Sequence, residues 1–111
     1  MAHSILFTIK KRSRFEKIRG KGSFLKSNNL NLQILKNQEL DNLIGIGYIA
    51  TKRIGNSVKR NKAKRIMREL AKKILIKGKI NSYYVLIAKP SLLKASFEDL
   101  TKELENKINE K

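Results

Sequence analysis

The stretch RIGNSVKRNKAKRIMREL, Arg53 to Leu70, sets the frame for the rest of the chain. A glycine and an asparagine lead into six cations within the ten residues from Lys59 to Arg68, and no acid appears before Glu69. Read on to Leu75, the segment predicts a helix. Asn56 is the expected N-cap, because a short side-chain oxygen there accepts from an otherwise orphaned first-turn N–H. Gly78 closes the segment soon after Ile76. At about 100° per residue, Ala63, Ile66, Met67, Leu70 and Ile74 share one sector. Asn61, Lys64, Arg65, Arg68 and Lys72 collect opposite, with Arg60 and Lys62 on either side. One face belongs to a core and the other to something anionic.

A solvated basic face is the bland alternative, and electrostatics argues against it. Like charges four apart on a helix repel, and of Arg60/Lys64/Arg68 and Arg65/Glu69 only the last pair is compensated. Cations near a helix N-terminus also oppose the macrodipole. An external polyanion removes both costs: arginine offers forked donors to phosphate, and lysine a point charge. Asn61 is uncharged amid cations and carries both donor and acceptor, suiting a sugar or base contact; the alternative is a plain exposed asparagine.

Outward from this helix, SRFEKIRGKG reads as a short helix with Ser13 as cap, Glu16 three residues on, and Gly20 or Gly22 as its end. LNLQIL alternates Leu30, Leu32 and Ile34 against Asn31 and Gln33, a half-buried strand. SFLK before it is expected to pair with it across Asn28–Asn29. LIGIGYIA, Leu43 to Ala50, is another strand, with one face stripped by Gly45 and Gly47. That bare face either admits a close partner or packs under a helix. YYVLIAK is apolar throughout and reads as a central strand stopped by Pro90. SFEDLTKELENKI opens with an S-x-x-D capping signature at Ser96 and Asp99 and repeats Phe97, Leu100, Leu104 and Ile108 at helical spacing. The order α, β-hairpin, β, α, β, α predicts an α/β (α+β) sandwich of helices over a small sheet.

Composition narrows the function. At 111 residues with 41% apolar content, residues 1–111 fit a single packed domain. A net charge of +17 and a pI near 10.4 point to a polyanion, nucleic acid before a membrane surface. Residues 10–26 hold eight cations against Glu16, whereas the last sixteen residues hold five acids against three lysines. The absence of cysteine removes disulfides and thiolate metal sites. No apolar run approaches the roughly 20 residues of a membrane span, and the N-terminus MAHSILFTIKKRSR reverses the order of a secretory signal. A cytoplasmic location is expected. So is the absence of catalytic residues: five of the nine acids sit in the last helix, Glu69 is expected to pair with Arg65 or Lys73, and His3 is the only histidine.

Lys52 to Arg68, KRIGNSVKRNKAKRIMR, resembles the signature of the protein component of bacterial ribonuclease P. The shared pattern is a lysine/arginine pair, a glycine, then R-N-R/K followed by K-R and a further arginine on one helix. The N-terminal KKRSRFEKIRGKG, the strand ending at Pro90 and the closing helix follow the family's order, so the resemblance covers nearly the whole chain. It implies a two-layer sandwich with a four-stranded mixed sheet and three helices, similar to the second domain of the fifth small-subunit ribosomal protein. A left-handed βαβ crossover is implied, against the usual rule. The implied activity is removal of the 5′ leader from precursor tRNA, with an RNA subunit and its Mg²⁺ doing the hydrolysis and the protein carrying no metal or catalytic site. Its implied partners are that RNA and the leader, with no DNA and no membrane.

By the same resemblance, Arg60, Asn61, Lys62, Lys64, Arg65 and Arg68 contact the RNA subunit, and Lys52, Arg53 and Asn56 lie on the approach to it. Phe15 matches the aromatic of a leader cleft between the first helix and the sheet; plain core packing is the alternative. Arg19 stands where some members carry a second aromatic, and stacks less well than a ring, though a guanidinium also stacks. Lys62 stands where arginine is frequent and loses the fork. Ser57 replaces a usual alanine. The rival reading is a general or ribosomal RNA-binding protein with no role in tRNA processing. A DNA-binding helix-turn-helix fits poorly, because a strand precedes the basic helix.

Overall fold

Alternation along the strands decides which side chains meet which helix. The computed structural model describes residues 5–110; His3 lies outside them. Five strands form one sheet: β1 (Leu6–Thr8), β2 (Ser23–Leu25), β3 (Leu30–Leu35), β4 (Ile44–Ile49) and β5 (Ser82–Ala88), in the order β1-β4-β5-β3-β2. β4 runs parallel to both β1 and β5, while β3 runs antiparallel to β5 and β2. The apolar run that includes Tyr83 to Ala88 is therefore the central strand, as its lack of alternation requires.

The mixed α/β sandwich forms, with five strands in place of four. The additional strand is β1, which pairs Leu6 with Ile44 and Thr8 with Ile46. It is three residues long, too short for a period to register, and its partner lies far along the chain. The expected pairing of SFLK with LNLQIL is present, from Ser23 opposite Ile34 to Leu25 opposite Leu32.

Three helices divide between the two faces: α1 (Arg12–Lys21), α2 (Ser57–Lys73) and α3 (Phe97–Asn109). Leu30, Leu32, Ile34, Ile44, Ile46, Tyr84, Leu86 and Ala88 form one core with Ala63, Met67, Leu70, Ala71 and Ile74 from α2 and its end, and Leu100 and Leu104 of α3. On the other face Ile9, Leu35, Tyr83 and Val85 pack with Ile18 and Phe15 of α1. α1 covers only part of that face.

α1 begins two residues earlier than its serine suggested. Lys11 is the N-cap and makes no side-chain capping bond, so Ser13 lies inside the helix. Starting at Arg12 turns Phe15 and Ile18, three apart, onto the sheet. Gly22 ends the helix with its N–H on the Ile18 carbonyl at 2.8 Å. A Cβ there would come within 2.6 Å of the Ile34 carbonyl oxygen, so only glycine lets the chain turn this tightly against β3. α2 also ends differently. It gives way at Ile74 to a 3-10 turn, Leu75–Lys77, and Gly78 closes that turn rather than the α-helix.

α3 follows its signature. Ser96 Oγ accepts from the Asp99 N–H at 3.1 Å. Its Glu103 is tied to the loop between β2 and β3. The carboxylate accepts from the Asn29 N–H and Asn29 Nδ2, both at 2.8 Å, and from Ser27 Oγ. Burial alone would raise this carboxyl's pKa; the hydrogen bonds from Asn29, Ser27 and the Leu30 backbone outweigh it and leave it below the ordinary value. Lys89 Nζ donates to the Ser27 carbonyl on the same loop.

Candidate nucleic-acid interface

The basic helix starts at a built corner. A 3-10 turn, Lys52–Ile54, leaves β4, and Gly55 follows at φ +137°, a conformation that side chains resist. Asn56 then caps α2, its Oδ1 accepting from the Lys59 N–H at 3.0 Å. Arg60 Nη1 donates to the Gly55 carbonyl at 2.8 Å. Half-buried Arg60 therefore braces the corner as well as adding charge, and Asn56 spends its side-chain oxygen on the helix.

Beyond the corner the two faces separate as the spacing required. Ala63, Met67 and Leu70 are fully buried and Ile66 partly so, while Asn61, Lys62, Arg65 and Arg68 are exposed and Lys64 is half-buried. Arg68 lies over the Tyr48 ring at 5.7 Å, which fixes its guanidinium against the end of β4. Burial raises the Tyr48 hydroxyl's pKa and Arg68 partly offsets this. Among the described residues no carboxylate pairs with Lys52, Arg53, Lys59, Arg60, Lys62, Lys64, Arg65 or Arg68. Glu69 pairs with Lys72 at 3.8 Å, not with Arg65 or Lys73. The neutralised pair sits at the C-terminal end, which leaves the N-terminal stretch wholly cationic.

The bare face of β4 is used for packing. A Cβ on Gly47 would run into the Phe15 ring, so Phe15 of α1 rests directly on the strand. Phe15 is nonetheless only half-buried, and with Arg12, Glu16, Arg19, Gln33 and Ile49 it lines a groove of about 150 Å³ along one flank of α1. One side of the ring packs on β4 and the other stays open to the groove. On the same sheet face, a larger recess of about 570 Å³ is lined by Asn31, Ile87, Lys89, Thr51 and Arg53. Arg53 thus stands between the groove face and the start of α2.

The sequence reading missed three contributors. Gln33 and Asn31 face the α1 side of β3, where their alternation with leucines signalled only a polar side. Tyr48 carries no motif; its place beneath Arg68 comes from the pairing of β4 with β5.

A model of the family described as Ribonuclease P matches residues 6–111. The chain belongs to the ribonuclease P protein family. The ribonuclease P protein component of Clostridioides difficile is 32% identical over 102 residues, covering 90% of this chain and 87% of its own. That of Syntrophus aciditrophicus is 33% identical, covering 87% and 85%. The match to the Nitratiruptor component is 39% identical over 59 residues, about half of each chain. Among solved structures, the Staphylococcus aureus RNase P protein superposes with a TM-score of 0.77 at 25% identity, covering 93% of this chain and 92% of that one. The Thermotoga maritima RNase P protein reaches 0.80 at 19% identity over 95% and 97%, a likeness of fold.

Two further observations bear on this family's chemistry. No described group of three or more His, Cys, Asp or Glu side chains is placed to hold a metal ion. No described helix is long and apolar enough to cross a membrane.

Proposed function

We propose that the chain is the protein subunit of a ribonuclease P ribonucleoprotein that removes the 5′ leader of precursor tRNA. α2 binds the RNA subunit through Arg60, Asn61, Lys62, Lys64, Arg65 and Arg68, with Lys52 and Arg53 extending the contact and Asn56 fixing the helix start. The leader lies in the groove beside α1, against Phe15 and Arg19. The RNA subunit holds the Mg²⁺ and performs the hydrolysis, in the cytoplasm. The protein adds positive charge where two RNA strands converge.

One observation carries this reading: a row of unpaired cations stands on a helix whose opposite face is locked into the core. Such a row is held rigidly at its own electrostatic cost, and an RNA backbone repays that cost through counterion release. Reconstitution tests it. Added to a bacterial ribonuclease P RNA at low Mg²⁺, the protein raises cleavage of precursor tRNA, and no increase would leave only a general RNA-binding protein. With six to eight cations on phosphates, log K falls against log salt with a slope of roughly −4 to −7. Arg65→Ala or Arg68→Ala weakens binding and makes the slope shallower by about 0.7 to 0.9.

A further inference from the structure

The two glycines of β4 seat two different aromatic groups, one on each flank of α1. Gly47 lies under Phe15 in the groove already described. Gly45 lies under another pair: a Cβ there would come within 2.7 Å of Tyr83 Cδ1 and 2.8 Å of Phe7 Cζ. Phe7 meets Tyr83 edge-on, with ring centroids 6.4 Å apart at 76°. Tyr83 is 2% exposed, but Phe7 keeps 37% of its surface open.

Cations surround this second pair. Phe7, Lys10, Lys11, Arg14, Leu40 and Tyr83 line a recess of about 310 Å³. A neighbouring recess of about 400 Å³ shares Arg14, Leu40 and Tyr83 with it and adds Lys17. The Arg14 guanidinium lies 5.9 Å from the Tyr83 ring centre. Among the described residues no carboxylate pairs with Lys10, Lys11, Arg14 or Lys17, whereas on the other flank Arg12 is held by Glu16 at 3.6 Å. Glu39 is the one acid among the described residues that line either recess.

Packing accounts for Tyr83 but not for its surroundings. A purely structural edge would cover Phe7 or answer four cations with acids. An open ring beside a line of unpaired cations is how proteins take single-stranded nucleic acid: a base stacks on the ring and the backbone tracks the charges. We infer that this flank of α1 is a second groove for single-stranded RNA, separate from the one proposed for the leader, in which Phe7 stacks a base and Lys10, Lys11, Arg14 and Lys17 hold phosphates. The choice of RNA over DNA rests on the proposed function; the stacking and phosphate chemistry does not.

The test uses the full chain and a 12-nucleotide oligouridine, followed by fluorescence anisotropy. Phe7→Ala weakens binding about tenfold, within the range measured for stacked rings, and Phe7→Tyr restores it. Because Phe7→Ala also removes a packing contact, a second variant leaves the strand intact: Arg14→Glu with Lys17→Glu, both exposed on α1, weakens binding and flattens its salt dependence. Three outcomes overturn the inference: Phe7→Tyr as weak as Phe7→Ala, the double variant binding like the wild type, or polyglutamate of equal charge competing as well as unlabelled oligouridine does. The RNA subunit is absent throughout, so failure here stands apart from failure of the low-Mg²⁺ cleavage assay.

Discussion

α2 and α3 lie on the same face of one sheet and bury similar stripes, yet their charges follow opposite rules. α3 has Ser96 as cap, Glu98 and Asp99 in its first turn, Lys107 in its last, and ion pairs from Lys102 to Glu98 at 3.3 Å and Lys107 to Glu110 at 3.1 Å. The first-turn acids and Lys107 agree with the helix dipole, and both ion pairs with i,i+3 or i,i+4 spacing. α2 has a good cap in Asn56 but no acid in its first turn, where Lys59 and Arg60 stand instead. One helix is charged for its own stability. The other carries cations in its first turn that its own dipole disfavours.

The core sides are therefore where the helices should behave alike. Leu70→Ala in α2 and Leu104→Ala in α3, both at most 1% exposed, each lower unfolding free energy in urea by about 2–5 kcal/mol. A much smaller loss at Leu70 would mean that α2 is held by something other than its stripe.

Glu103 sharpens the contrast, because it is the one α3 acid that does more than balance a helix. Glu103→Ala leaves Asn29 and Ser27 without their acceptor and costs about 1.5–3 kcal/mol, the range for hydrogen bonds to a charged group. The sign of its pH dependence follows from its lowered pKa: the stabilisation is complete above the ordinary carboxylate value and is lost as pH falls through the lower value of the folded state. Tm of the wild type should therefore drop on acidification below about pH 4.3 more steeply than Tm of Glu103→Gln. Parallel curves would remove Glu103 from the account.

How much of this was legible in the sequence depends on how local each signal was. The core stripe of α2, its Asn56 cap and the Ser96 cap of α3 are set by residues a few positions apart, and all three are present. β1 was not legible, since its pairing with β4 is what makes it a strand. The cap of α1 was misread at Ser13 because the contacts of Phe15 and Ile18 with the sheet override a weak local preference. Gly45 and Gly47 announced a bare face but not what would fill it; the rings come from β1, β5 and α1, all distant in sequence. The exposed cations could be placed on one face of α2, but not Arg68 over Tyr48 or Arg60 on the Gly55 carbonyl, which need the tertiary path of the chain.

Two smaller changes at the helix starts complete the comparison. Asn56→Ala and Ser96→Ala remove equivalent capping bonds and each cost about 1 kcal/mol in thermal unfolding. Their near equality would show that the two helices differ in charge and not in capping. Lys59→Glu then tests the charge itself. Position 59 is the third residue of α2, where an acid both reaches back toward the cap and complements the dipole. The substitution should stabilise the protein by about 0.5 kcal/mol and at the same time weaken binding to the RNA subunit, with a shallower salt slope. A stabilised variant that binds less well is the outcome expected of a helix whose charge serves its partner. If Lys59→Glu left stability unchanged, the cations of α2 would carry no folding cost, and the electrostatic argument that singles out this helix from α3 would lose its footing.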